Sequence, residues 1–184
     1  MLTGRGYRRP VLLSGLPSWP SAARRERGVR TALAEADVVP VRVVDTDLSR
    51  DAGHRAVMEL PGPVLRRCDV VICASDPLAF GASTALRLRG VRVGAEVGVC
   101  GFGDVPGASD VRPGLTTVHL PLIEAGARAF RPAFEKVSDQ HVVLRTRVVV
   151  RDSTPPRTPT AVRTRRSPPS SGARRERGTG EDTT

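Results

Sequence analysis

No stretch of this sequence is apolar for long. Arg, Asp, Gly or Pro interrupts every hydrophobic run well before the roughly 18 residues that a membrane helix requires, so a membrane protein is not expected. The opening MLTGRGYRRPVLLSGLP has an apolar part of only Val11 to Leu13, stopped at once by Ser14, Gly15 and Pro17. That is too short for a secretory leader, and a cytoplasmic chain is expected. Cysteine is scarce: Cys68, Cys73 and Cys100 form an odd set without C-x-x-C spacing, and the last two sit inside apolar runs where a thiol behaves as a small hydrophobe. Neither a disulfide framework nor a zinc site is expected, and no cofactor. Lysine is almost missing, Lys136 being the single one among 29 basic residues that face 19 acidic ones. The surplus is spread over the chain, 22 against 15 in residues 1–151 and 7 against 4 in residues 152–184. Surface charge is mostly just solvated, so solvated helix faces are the first reading and a nucleic-acid surface the weaker one. The phosphate-loop pattern G-x-x-x-x-G-K-[ST], the nucleophile elbow G-x-S-x-G and the metalloprotease pair H-E-x-x-H are all lacking. His54, His119 and His141 have no spacing that suggests a shared ligand or a triad, and no enzyme is expected.

The 184 residues suit one domain with a tail. Residues 152–184 contain no Leu, Ile, Phe, Tyr or Trp and are dense in Pro, Ser, Thr, Gly and Arg, so they cannot bury a core and are expected to be disordered. Before them, short β-branched runs at 10–14, 41–44, 69–74 and 97–102 have the character of buried strands. Helical patterns at 21–35, 50–60 and 76–89 separate them, with Ser21 placed to cap the first and Asp76 to open the third. This β-α alternation predicts the α/β class, with a doubly wound parallel sheet covered on both faces by helices. A helix at 121–136, containing Pro132, and a strand at 141–150 follow.

Open α/β sheets bind ligands at the carboxyl ends of their strands. The residues there are Ser14 and Gly15, Asp45 and Asp47, Ser75 and Asp76, and Gly103 and Asp104, with Arg25 one turn into the first helix. Capping by Asp76 and Ser21 and a turn at Asp45 to Asp47 are at least as good readings of those residues.

Several ordered pieces are more specific. ICASDPLAFGASTALRLRGVRVGAEVGVCGFGDVP, RPGLTTVHLPLIEAGARA and VVLRTRVVVRDST match, in order and with single departures at Ser75, Gly103 and Leu120, a [ND]-D-x-x-A-x-G helix start, a G-[FY]-D-[DN] turn, a P-x-L-T-T-[VI]-x-Q-P segment and V-x-R-x-[ST]. LTGRGYRRPVLLSG and RRERGVR match the lead-in and first helix that precede them. Residues 2–154 thereby resemble the C-terminal half of a LacI/GalR-type (lac repressor) transcription regulator. The resemblance implies a periplasmic-binding-protein-like lobe of an incomplete two-lobed domain over 1–151, which closes on a sugar or nucleoside-like effector and works as a homodimer. Operator DNA would be read only by a helix-turn-helix headpiece that this sequence lacks, as it lacks most of the first lobe, so the chain reads as a truncated regulator. The helix at 76–89 and the surface left by the missing lobe would expose apolar area, and the last helix and strand, which partly belong to that lobe, would lack their sheet.

Carried over residue by residue, the resemblance places Arg25 on the family's effector-contacting arginine and Ser21 on a polar position lining the same cleft. Ser75 stands for the usual Asn, Leu48 where an aromatic often stacks on the ligand, and Gly103 for the first Asp of G-[FY]-D-[DN], while Asp104 keeps a carboxylate one position later. Ligand binding is therefore expected to centre on Arg25, with Ser21, Ser75 and Asp104 as secondary partners and Leu48 and Gly103 lining the site. The rivals are a sugar-binding protein of a transport system, against which the absent leader argues, and a basic nucleic-acid-binding module using the Arg-rich tail.

Overall fold

The four apolar runs become one parallel sheet. The computed structural model describes residues 1–134 and 143–157. In it β1 (Pro10–Gly15), β2 (Arg42–Thr46), β3 (Val70–Cys73) and β4 (Gly98–Cys100) lie in the order β2-β1-β3-β4. The register sets Leu12 beside Val43 and Ile72, and Val71 beside Val99. Because side chains alternate across a strand, Val11, Leu13, Val71, Cys73 and Val99 enter one core cluster and Leu12 and Ile72 another.

Right-handed crossovers then sort the helices. α1 (Pro20–Ala34) joins β1 to β2 and closes Leu33 and Val29 over Leu12. α2 (Arg50–Met58) and α4 (Asp76–Leu88) cover the other face, burying Ala52, Val57, Leu78, Ala82 and Leu86 in the larger core. The doubly wound expectation holds. Between α2 and β3 a short helix, α3 (Gly62–Arg67), follows Pro61; six residues framed by prolines carry no helical period, so the sequence reading missed it. Ser49 and Ser75 cap α2 and α4 by accepting the Ala52 and Leu78 amides at 3.1 and 3.2 Å. α1 departs from expectation: Trp19 is its N-cap with no side-chain bond, Pro20 starts the helix, and Ser21 lies inside the first turn, exposed. The expected apolar surface on α4 is absent as well, since its apolar stripe is packed and Leu88 alone stands out.

β5 (Thr117–His119) runs on beside the end of β4, the Gly101 and Gly103 amides donating to the Thr116 and Val118 carbonyls. It leads into α5 (Leu122–Phe134), and β6 (Arg147–Val149) returns antiparallel to it. These last elements therefore do have a strand partner, contrary to expectation. α5 leaves Leu122, Ile123 and Phe130 exposed. Beyond β6, Ser153 and Thr154 are buried: Ser153 Oγ donates to the Val99 carbonyl and accepts the Thr116 amide, and Thr154 Oγ1 donates to Thr116 Oγ1. Packing thus continues past residue 151, where the tail was expected to begin, because hydroxyls rather than apolar side chains hold this segment. The expected tail beyond Arg157, and His141, lie outside the described residues.

Candidate functional site

α1 covers the sheet face opposite α2 and α4, and a cavity of about 860 Å³ lies between its inner side and β3, β4 and β5. Most of that cavity lies over the sheet face, floored by Leu12, Ile72 and Cys100, and one end meets the strand ends at Ala74 and Phe102. Arg25 stands there. One turn into α1, its guanidinium leans across the sheet, Nη1 donating to the Ala74 carbonyl at 2.9 Å while the group lies 4.5 Å above the centre of the Phe102 ring. Burial draws its pKa below the ordinary arginine value, but a guanidinium stays charged in a protein. Its remaining N–H donors make no hydrogen bond or ion pair among the described residues.

Next on the helix, Glu26 accepts from Ser14 Oγ at 2.7 Å and Arg30 Nε at 2.6 Å. The Ser14 bond first, then Arg30, holds its carboxyl below the usual range. Asp76, fully buried, fixes the loop under Arg25: it accepts from Thr117 Oγ1 at 2.5 Å and the Val105 amide at 2.9 Å, and its own amide donates to the Phe102 carbonyl. Within that loop Gly103 has φ +141°, and a Cβ there would sit 3.3 Å from Asp76 Oδ2. The backbone of this turn thus opposes any side chain at 103.

The structure gathers Arg25, Ser75, Gly103 and Asp104 at one end of the sheet but leaves two of the expected partners occupied. Ser75 Oγ caps α4 and donates to the Leu48 carbonyl at 2.9 Å, so its single donor is used within the protein. Asp104, at φ +56°, turns toward the crossover strands, with Oδ1 2.8 Å from Arg151 Nη2 and Oδ2 2.9 Å from His119 Nδ1. Burial raises its pKa, but the hydrogen bonds from Arg151 and His119 outweigh this and leave it lowered. Leu48 packs against the main core and beside Gly15. Ser21, four residues before Arg25, shares its side of the helix.

The sequence reading missed Phe102, the ring under Arg25, although it stands in the quoted G-F-G-D turn. It missed Arg151 and His119 as the partners of Asp104, although Arg151 stands in V-x-R-x-[ST]. No spacing pairs residues 104, 119 and 151; only the return of β6 beside β5 does so.

The periplasmic binding protein-like domain family matches residues 1–154. The repressor PurR of Edwardsiella ictaluri, of the helix-turn-helix type, is 30% identical over 141 residues, covering 76% of this chain and 41% of the relative. A helix-turn-helix regulator from the aml 5′ region of Streptomyces limosus is 33% identical over 164 residues, or 83% of this chain and 46% of that one. The chain thus spans less than half the length of these relatives. Among solved structures, the Lac repressor dimer bound to operator and the anti-inducer ONPF superposes with a TM-score of 0.74 at 26% identity, over 83% of this chain and 55% of that one. These relatives are transcription regulators and not enzymes. With sequence motifs, sheet order and relatives in agreement, the chain belongs to the periplasmic binding protein-like domain family, and it is similar to the corresponding portion of PurR- and Lac-type transcription regulators.

Proposed function

We propose that the chain holds a sugar or nucleoside-like effector at the carboxyl ends of β1, β3 and β4, with Arg25 as its principal polar anchor and Ser21 as a second donor. Catalysis has no part in this reading, which assigns operator recognition to helix-turn-helix residues outside the matched span. The observation that carries it is Arg25 itself, positioned by the Ala74 carbonyl and the Phe102 ring with donors to spare at the end of a cavity. Such pre-positioning is what a recognition group needs, because the side chain has already lost its rotamer freedom before the ligand arrives. Leu48 and Gly103 offer a ligand no polar side chain, and Ser75 and Asp104 act by holding the walls of the site.

Isothermal calorimetry against a panel of sugars and nucleosides tests this. Arg25→Ala is expected to weaken binding roughly ten- to a hundredfold, the value of a hydrogen bond to a charged group. Tight binding unaffected by that substitution would refute the site. We also propose a homodimer: Leu122, Ile123 and Phe130 on α5 form an apolar stripe open to water, and the superposed Lac repressor is a dimer. A clean monomer by light scattering at tens of micromolar, a working range for weak dimers, overturns that part.

A further inference from the structure

We infer that the effector carries a negative charge, a phosphate or carboxylate group that supplies the counter-ion Arg25 lacks. This rests on the reading of Arg25 as the effector anchor and adds the chemical class of what it holds.

Each carboxylate near Arg25 is already claimed. Asp76 is taken by Thr117 and the Val105 amide, Asp104 by Arg151 and His119, Glu26 by Ser14 and Arg30, and Asp47 by the Ser49 amide and Arg55. Asp45, at the exposed end of β2, is separated from the Ala74 carbonyl by β1. Two strand spacings amount to about 10 Å, where solvent and salt screen most of its field. Glu35, at the far end of the cavity, stands ten residues along α1, about 15 Å of helix. Position 103, where the resembling regulators place a carboxylate, is a glycine whose backbone opposes a side chain.

Arg25 is left as a half-buried cation resting on an aromatic face, with a single neutral carbonyl as its hydrogen-bond partner among the described residues. A guanidinium in that state has lost part of its hydration and gained no opposite charge. Its fork of N–H donors matches phosphate or carboxylate oxygens in pairs, whereas a neutral hydroxyl would leave the charge uncompensated. The adjoining cavity floor is apolar, so the charged group belongs at one end of a ligand whose body is less polar.

Matched probes test this on the full chain: glucose against glucose 6-phosphate and glucuronate, ribose against ribose 5-phosphate, and inorganic phosphate alone. The fluorescence of Trp19, the only tryptophan, which caps the helix carrying Arg25, reports binding alongside calorimetry. The charged member of a pair is expected to bind at least about tenfold tighter, with the preference shrinking as salt is raised. Arg25→Gln, which keeps donors but not charge, should reduce that preference to about twofold or less, and Arg25→Lys, which keeps the charge but not the fork, should retain more of it than Arg25→Gln does. Thermal unfolding of both variants at the wild-type temperature separates a local effect from misfolding. The phosphate and uronate arms tell which anion is preferred. Neutral members binding as tightly as charged ones overturn the inference. So does a preference that survives Arg25→Gln, which would assign the anion to other arginines of this +10 chain. If Arg25→Gln weakens neutral and charged probes alike, the anchor stands and the charge class falls. If no probe responds to it, or none binds, both readings fall.

Discussion

Replacing Gly81 by alanine should destabilise this domain, against the sign that helix propensity dictates. In a helix interior alanine is better than glycine by about 1 kcal/mol. At Gly81, in the middle of α4, an added Cβ would lie 1.8 Å from the Arg50 carbonyl oxygen and 2.8 Å from the His54 amide nitrogen, both main-chain atoms of α2. A carbon approaches a carbonyl oxygen to about 3.3 Å at closest, so the helices must part by about 1.5 Å. Overpacking costs about 1–3 kcal/mol and more where backbone has to move, and the separation also loosens Leu78, Ala82 and Ala85 from their buried positions. With about 3–4 kcal/mol for a clash against main chain, less the propensity gain of about 1 kcal/mol, the net loss is about 2–3 kcal/mol, a drop in Tm of about 5–10 °C for a domain of this size. Gly28 is the internal control. It also lies within a helix, α1, but a Cβ there meets nothing within 4 Å, so Gly28→Ala should gain up to about 1 kcal/mol. Urea unfolding followed by far-UV circular dichroism reads both variants. A Gly81→Ala protein as stable as wild type, or shifted in the same direction as Gly28→Ala, would refute the backbone contact between α2 and α4.

Two further outcomes follow from the buried groups. Burial pushes the thiols of Cys68 and Cys100 up to about 12 and raises Cys73 as well. All three should therefore resist iodoacetamide in the native protein at pH 8 and react in urea; prompt native labelling of any of them contradicts the core. Asp104 has its folded pKa lowered by Arg151 and His119 despite burial. Its contribution is therefore present above the unfolded value of about 3.9 and lost as pH falls through the lower folded one. The urea midpoint should drop below about pH 4, and by less in Asp104→Asn; equal drops in the two proteins remove the carboxylate from the account.

The parallel sheet was legible because buried strands and the helices between them write different periods into the sequence, and 10–14, 41–44 and 69–74 stand out as β-branched runs. Arg25 reaches the end of β3, where its guanidinium meets the Ala74 carbonyl. Motif positions did not say what each residue does there. The glycine of the [ND]-D-x-x-A-x-G helix start, Gly81, marks where two helix backbones touch, and the serine and aspartate before it, Ser75 and Asp76, cap a helix and brace a loop. Those are tertiary roles, set by α2 and by β5, which lie about thirty to forty residues away in sequence. Ser153 and Thr154 were assigned to the tail for a similar reason: the sequence around them has no hydrophobic period, and their burial depends on hydroxyl bonds to Val99 and Thr116.

The carboxylate that survives at Asp104 cannot take the place of one at 103, and the reason links the site to the crossover strands. Arg151, just past β6, binds Asp104 through Nη2 and the Leu115 carbonyl through Nη1, while its amide donates to Thr116 Oγ1; His119 holds the other carboxylate oxygen. Freeing Asp104 to face Arg25 would break the two contacts on the carboxylate itself, and drawing Arg151 away would break the others too. The two bonds on the carboxylate alone, at about 1.5–3 kcal/mol each for a charged group, come to about 3–6 kcal/mol. A ligand held through one charged contact supplies about 1.5–3 kcal/mol. An effector on Arg25 therefore cannot pull this brace apart, and the strand ends, β5 and β6 must move as one piece or not at all. Arg25 is thus left to find its counter-ion outside the protein.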